Sequence, residues 1–319
     1  MNKPPKPRSE WTKLILRFPL SPGDLMTGTA ALFNLHITHP ARYFTKVRAS
    51  VPEIFENNPF ITDFPDHEAD VMIDMHYPSI HRSDTGAYCF INGYTEYLSR
   101  ILDVKIDFQI NKPFVLLTEI EQERYILTEK LGLPKDLPYA LICAGVKEDY
   151  PIKQWPVEYY QTVVNMTKDM INWVQVGSLE HNHVKLHNVV DMLDNTTIRE
   201  FFCLCNKAIF GLGPITFLMH ACAAFDKPYI CIAGGRECPT WISYPKQHIL
   251  HTLGLLDCCI DGGCWMSKAV PTDKFPQNNN RICKYPIVNM IRPVGRCMTM
   301  IKPQDVISII RRMKDGNIW

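Results

Sequence analysis

An aspartate after a Pro-Gly turn, two lysines ahead of a Trp-Pro pair, a Gly-x-Gly-Pro loop and a late run of cysteines are the parts of this sequence suited to chemistry. In "FPLSPGDLMTGTAAL" a strand pattern ends, Pro22-Gly23 turns the chain and Asp24 lands at a helix start. That carboxylate has two readings: an N-cap accepting orphan amides, or a base that takes a proton from a hydroxyl. In "CAGVKEDYPIKQWPVEYY", Lys147 and Lys153 bracket a loop between a strand and a helix. Such lysines are often only solvated, but at a strand end before a helix N-terminus they suit an anionic ligand. In "GLGPITFLMHACAAF", Gly211 and Gly213 flank a bend and Pro214 is expected to start a helix whose free amides could cradle a phosphate. The loop is neither G-x-G-x-x-G nor followed by a Walker lysine, so dinucleotide and P-loop readings lose ground.

Five of the twelve cysteines follow Cys238: Cys258, Cys259, Cys264, Cys283 and Cys297. Four soft ligands on turns are what a tetrahedral thiolate site for zinc or iron requires. The alternative is a set of reduced thiols. No C-x-x-C opens a helix here, which argues against a redox dithiol. The stretch "MHYPSIHRSDTGAY" offers His76, His81, Arg82 and Tyr88 after another strand, as cleft residues or as a solvated loop.

These groups need a scaffold. At 319 residues the chain exceeds one core, and two domains are expected, 1–135 and 136–319, divided near "LGLPKDLP". A hydrophobic fraction of 46% is globular, and a net charge of +1 argues against a general nucleic-acid surface. The basic "MNKPPKPRSEW" leads into no signal core, and "KLILRF" is too short for a span, so a soluble, cytoplasmic protein with reduced cysteines is expected. Short β-rich runs alternate with helical patterns, the signature of parallel α/β units. Strands are expected at 14–18, 43–49, 71–75, 113–117, 139–144, 173–176, 188–191, 207–211 and 229–233, and a last helix at "PQDVISIIRRMK". The expected class is α/β, two Rossmann-like domains facing across a cleft, with ligands at the strands' carboxyl ends.

Together these loops resemble glycosyltransferase family 9, the heptosyltransferase-like enzymes of the GT-B fold, from about Lys13 to the final helix. The resemblance implies that Asp24 of "GD" is the catalytic base and that Lys153 of "KQWP" contacts the donor's phosphate. It also implies that Gly177 to Glu180, a G-x-x-E, holds the nucleoside. The family's D-[ST]-G-P-x-H diphosphate loop appears as "GLGPIT", so the donor-binding loop would be Gly213, Pro214, Ile215 and Thr216, whose backbone amides, Pro214 excepted, would hold the diphosphate. Gly211, Leu212 and Thr216 replace its acidic, hydroxyl and histidine residues, and His220 is a substitute candidate or simply a core histidine. The first domain becomes the acceptor side, with His76, His81 and Arg82, and the second the donor domain.

The C-terminal cysteines resemble those of bacterial autotransporter heptosyltransferases, which carry a four-cysteine iron site. "GGCW" and "RCMTMI" match two of its elements, implying a structural iron or zinc on Cys258, Cys264, Cys283 and Cys297 within segment 258–297, Cys259 being the alternative first ligand. The activity implied is inverting transfer of heptose or another sugar from a nucleotide-diphosphate donor to a hydroxyl of a saccharide, protein or modified DNA base. No membrane span is implied, and a homo-oligomer is allowed. Two other readings stay open. One is a non-catalytic nucleotide-sugar-binding scaffold. The other is a transferase for modified bases of phage-type DNA, for which Lys46, Arg48, Arg82 and Arg100 make a thin basic groove.

Overall fold

The alternating pattern resolves into two compact units, one within Met1–Ile80 and Cys89–Glu123, the other running from Arg124 to the C-terminus. The structure, a computed structural model, describes residues 10–76, 89–147, 150–264 and 282–318.

In the first unit β1 (Thr12–Phe18) lies between β2 (Tyr43–Ala49) and β3 (Val71–Asp74) in a parallel sheet, with α1 (Pro22–Thr38) and α2 (Gly93–Ile101) as its longer helices. Leu14, Ile15 and Leu16 of the central strand are fully buried, as expected of a parallel strand covered on both faces. The Phe18 ring occupies the space a Cβ on Gly28 would need, 2.5 Å away, so this glycine lets α1 lie against the end of β1. The short α3 (Glu119–Glu123) ends the unit.

Residues 113–117, expected as a strand, are not one. Burial does alternate there, with Val115 and Leu117 inside and Leu116 outside. Phe114 N nevertheless donates to a side chain of α1, Thr29 Oγ1, and just upstream Gln109 and Ile110 donate to Asn34 Oδ1 of the same helix. Pro113 has no N–H for a ladder, and α1 supplies the acceptors a neighbouring strand would have given.

In the second unit α4 (Ile126–Leu131) precedes β4 (Tyr139–Ile142), α5 (Val157–Thr167), β5 (Asn172–Gly177), β6 (Val190–Leu193) and α6 (Ile198–Lys207). Then come β7 (Gly211–Pro214), α7 (Phe217–Ala224), β8 (Tyr229–Gly234), α8 (Pro239–Ile242) and β9 (Gln247–His251). The antiparallel pair β10 (Pro286–Ile287) and β11 (Val294–Gly295) comes next, then α9 (Arg296–Met300) and α10 (Pro303–Asp315). Six strands form one parallel sheet in the order β6-β5-β4-β7-β8-β9. Trp155, Trp173, Phe210, Tyr160 and the apolar face of α10 (Val306, Ile307, Ile310, Met313) share one core on it. "TIRE" opens α6 with a capping box: Glu200 N donates to Thr197 Oγ1 and Thr197 N to Glu200 Oε2.

Two boundaries differ from expectation. Helix α6 runs on to Lys207, so the next strand starts only at Gly211. Pro214 ends that strand, and the helix begins at Phe217 after Thr216 as its N-cap. Packing explains the shift: a Cβ on Gly211 would fall 2.7 Å from Cys222 Sγ, and one on Gly213 2.8 Å from Tyr229 Oη. These glycines let α7 and β8 approach the strand; they are not the bend.

The strand order bears on function. From β4 the chain winds one way through β5 and β6, then crosses to β7 and winds the other way. The loops after β4 and β7 therefore diverge, leaving the crevice at strand carboxyl ends where ligands of open α/β sheets bind.

Candidate functional site

The "KQWP" residues are positioned one by one at that crevice. Trp155 is fully buried, edge-on to Tyr160 at 4.7 Å, and donates from Nε1 to Ile301 O at 3.1 Å. Gln154, 2% exposed, donates from Nε2 to Ala144 O at 3.1 Å and so ties the loop to the exit of β4. With both neighbours fixed, Lys153 reaches the loop after β7, its Nζ donating to Ile215 O at 3.4 Å. Lys147 is exposed.

Two residues that sequence reasoning misses complete this corner. Glu237, just after β8, places Oε1 3.2 Å from Lys153 Nζ, and the Arg236 guanidinium contacts the same oxygen. Burial alone would raise the Glu237 carboxyl's pKa, but Lys153, Arg236 and His220 outweigh it and hold it below the usual range. Lys153 Nζ and Arg236 Cζ lie 6.0 and 5.4 Å from the centre of the Tyr150 ring. The "GGREC" charges at a strand's carboxyl end were the available signal. What sequence does not give is their pairing with Lys153.

His220 is buried in α7, its Nδ1 2.8 Å from Tyr244 Oη. Burial and then the nearby Lys153 lower its pKa to about 3, so it is neutral. Thr216 turns its hydroxyl toward Cys143 Sγ, at 3.7 Å. Gly177 ends β5 with φ +138°, and a Cβ there would meet the His183 ring at 2.2 Å. Glu180 lies in the next turn, exposed and without an ion pair among the described residues. The structure thus gathers Lys153, Ile215 and His220 with Glu237 and Arg236, and leaves Glu180 at the rim.

In the first unit, Ser21 is the N-cap of α1, so Asp24 stands in the first turn and is not the cap. A negative charge is favoured there by the helix end. The Tyr94 hydroxyl has its pKa raised by burial and then by the Asp24 charge, which places the two within electrostatic reach. His76 comes after β3, exposed, with its ring 6.0 Å from that of Tyr97. His81, Arg82 and Tyr88 lie outside the described residues.

The cysteines converge around the exit of β8. A Cβ built on Gly295 would lie 3.3 Å from Cys297 Sγ and 3.5 Å from Cys283 Sγ, so these two thiols share one spot. Cys264 N donates to Gly235 O, at 3.2 Å. Burial, then Cys297, Cys258 and other neighbours, push the Cys264 thiol up to about 12, and Cys283 rises to about 11 for similar reasons. Four groups whose anionic forms repel one another call for a cation if they are to ionise together. Cys259 donates its thiol to Leu256 O at 3.2 Å, and its Sγ would lie 2.9 Å from a Cβ on Gly235, so it too belongs to this cluster. Among the described residues no group of three or more His, Cys, Asp or Glu side chains is already drawn into metal-holding geometry.

Three neutral histidines, His183 and His220 buried and His36 half-buried, make a pH prediction. His36, His183 and His220 have pKa values lowered to about 4, 4 and 3, burial being the first cause in each. Between pH 4 and 6.5 the unfolded chain binds more protons than the folded one. Their stabilising effect is therefore full above pH 6.5 and is lost as pH falls, by up to roughly 1.4 kcal/mol per pH unit for each. Urea midpoints should fall from pH 7 to pH 5; a flat profile would contradict the burial of these rings.

No protein-family model matches the sequence, and no curated protein matches it. Solved structures do. A family 9 glycosyl transferase from Veillonella parvula is 14% identical at a TM-score of 0.60, covering 76% of this chain and 86% of that one. E. coli ADP-heptose LPS heptosyltransferase II is 14% identical at 0.59, covering 95% and 98%. TibC from enterotoxigenic E. coli, an iron-containing dodecameric glycosyltransferase, is 14% identical at 0.61, covering 96% and 77%. TibC is also known in complex with ADP-D-β-D-heptose, and that structure gives 0.62 at 16% identity, with the same coverage. The fold is GT-B. At these identities the likeness is one of fold. In this GT-B chain the charged corner lies at the carboxyl edge of the second unit's sheet, and no helix among the described residues is long and apolar enough to cross a membrane.

Proposed function

We propose that this chain is an inverting glycosyltransferase that takes a sugar, heptose or another, from a nucleotide-diphosphate donor and passes it to an acceptor hydroxyl. The observation that carries the reading is Lys153, fixed by Gln154 and Trp155 beside Ile215 at the β4–β7 crevice of a GT-B fold. A nucleoside diphosphate is the leaving group. Lys153 and the first amides of α7 stabilise the charge that builds on it, while Gly213, Pro214 and Thr216 shape the loop. Gly177 and Glu180 face the nucleoside, and His220 bounds the sugar end. Asp24 takes the proton as the acceptor oxygen bonds to the anomeric carbon and the bond from that carbon to the phosphate oxygen breaks, its electron pair leaving with the diphosphate. One displacement inverts the centre. His76, His81 and Arg82 belong to the acceptor side, and the acceptor is a saccharide, protein or modified-base hydroxyl.

Cys258, Cys264, Cys283 and Cys297 hold a structural iron or zinc in this reading, which crosslinks the loops after β8 to α9. Freshly purified protein should contain about one iron or zinc per chain. Cys297→Ser should lose it, with more than about 2 kcal/mol of stability. Full metal content in that variant would remove Cys297 from the ligand set. A homo-oligomer is part of the same proposal.

The test is release of nucleoside diphosphate from a panel of nucleotide sugars, ADP-heptose among them. Turnover of one member is expected. Binding without turnover would favour the non-catalytic scaffold, and a panel neither bound nor turned over would overturn the donor reading.

A further inference from the structure

Glu237 does something the ion pair alone does not require. It is 8% exposed, and both cations, Lys153 and Arg236, converge on its Oε1. Among the described residues Oε2 takes no hydrogen bond, yet it is not sealed from solvent. An ionised carboxylate that deeply placed ordinarily has both oxygens satisfied. A carboxylate needed only to hold two cations would serve with both oxygens engaged, for instance by the bidentate fork an arginine offers.

The position says which donors are absent. Lys153 Nζ links Glu237 to Ile215 O, at the turn into α7, so the carboxylate borders the place assigned to the diphosphate. A second phosphate is a poor neighbour for an anion. Beyond the phosphates of a nucleotide sugar lies a ring of hydroxyl donors, and a carboxylate oxygen accepts from them readily. His220, neutral and held against Tyr244, lies within electrostatic reach of both Lys153 and Glu237, so it adds no further full charge to this corner.

We propose that Glu237 is a specificity-determining residue: its Oε2 accepts a hydrogen bond from a hydroxyl of the donor's sugar, while Oε1 keeps Lys153 and Arg236 in place. The proposal rests on the donor reading above and deepens it, because a bound sugar without a hydroxyl at that point displaces solvent from the oxygen and offers it no donor. The site therefore selects against such sugars.

Calorimetric titration of the full chain with nucleoside diphosphate and nucleotide sugar, ADP and ADP-heptose first and then the other pairs of the panel, tests it. In the wild type the sugar adds affinity over the diphosphate alone. In E237Q that gain falls about tenfold or more, while ADP itself binds as well or more tightly because a negative charge beside it has gone. E237D keeps the counter-ion for both cations and withdraws the acceptor by one methylene. It guards against misfolding of the amide variant, and should lose several-fold of the gain with ADP affinity unchanged. Equal weakening of ADP and ADP-heptose in E237Q would mean the carboxylate only holds the cations, and would overturn the proposal. A sugar gain intact in both variants overturns it too. A wild type that binds no pair of the panel fails at the donor reading itself.

Discussion

Replacing Asp24 by Asn should lower transfer by about three orders of magnitude while leaving nucleotide binding and the fold in place. General-base catalysis contributes roughly 10²–10⁴-fold, and the amide keeps the shape of the side chain while losing its proton affinity. Asp24 is in the first turn of α1 and is not its cap. Loss of a first-turn charge costs at most about 1 kcal/mol. Transfer rates under saturating donor, with a urea melt on the same preparation, separate the two effects. Transfer within tenfold of wild type would remove Asp24 from the chemistry.

The second large effect belongs to Lys153. Lys153→Met should weaken nucleoside diphosphate binding by about 100-fold, the loss of one charge-assisted contact in a partly buried site. It should also destabilise the chain by about 1–3 kcal/mol, because Glu237 then loses one of the two cations paired with it among the described residues. Adding Glu237→Gln to that variant should restore part of the stability while leaving most of the loss of diphosphate affinity in place. That split distinguishes a functional lysine from a structural one, since a lysine present only to neutralise Glu237 would leave nucleotide binding unchanged in the double variant. Urea denaturation and calorimetry on the four proteins of the cycle supply both readings.

Much of the scaffold was legible in the residues. The β-rich runs at 14–18, 43–49, 139–144, 173–176 and 229–233 overlap strands of the parallel sheets, and the helix starts at "SPGD", "TIRE" and "KPQD" follow from ordinary end chemistry. The misses have physical causes. Residues 113–117 alternate like a strand, but alternation reports which side is buried and not where the amides bond; here Phe114 N bonds to a side chain of α1. Pro214 reads as a helix start, yet Gly211 and Gly213 mark close approach of neighbours in a strand that Pro214 ends. The edge strand Gln247–His251 is short, polar at both ends and without a pattern of its own. Adjacent Cys258 and Cys259 cannot be ranked from spacing, and both lie within electrostatic reach of Cys297. At the site, the sequence identifies Lys153 through its neighbours, and local reasoning stops there, since Glu237 meets it only after the sheet has formed.

The central claim is that the second unit holds a nucleotide-diphosphate sugar at the β4–β7 crevice. A crystal structure of the full chain grown with ADP-heptose, or with the tightest-binding member of the panel, tests it most directly. The account predicts diphosphate density between Lys153 Nζ and the first amides of α7, with the sugar beside Glu237. A nucleotide sugar bound away from Lys153, at any other edge of the sheet, would contradict it.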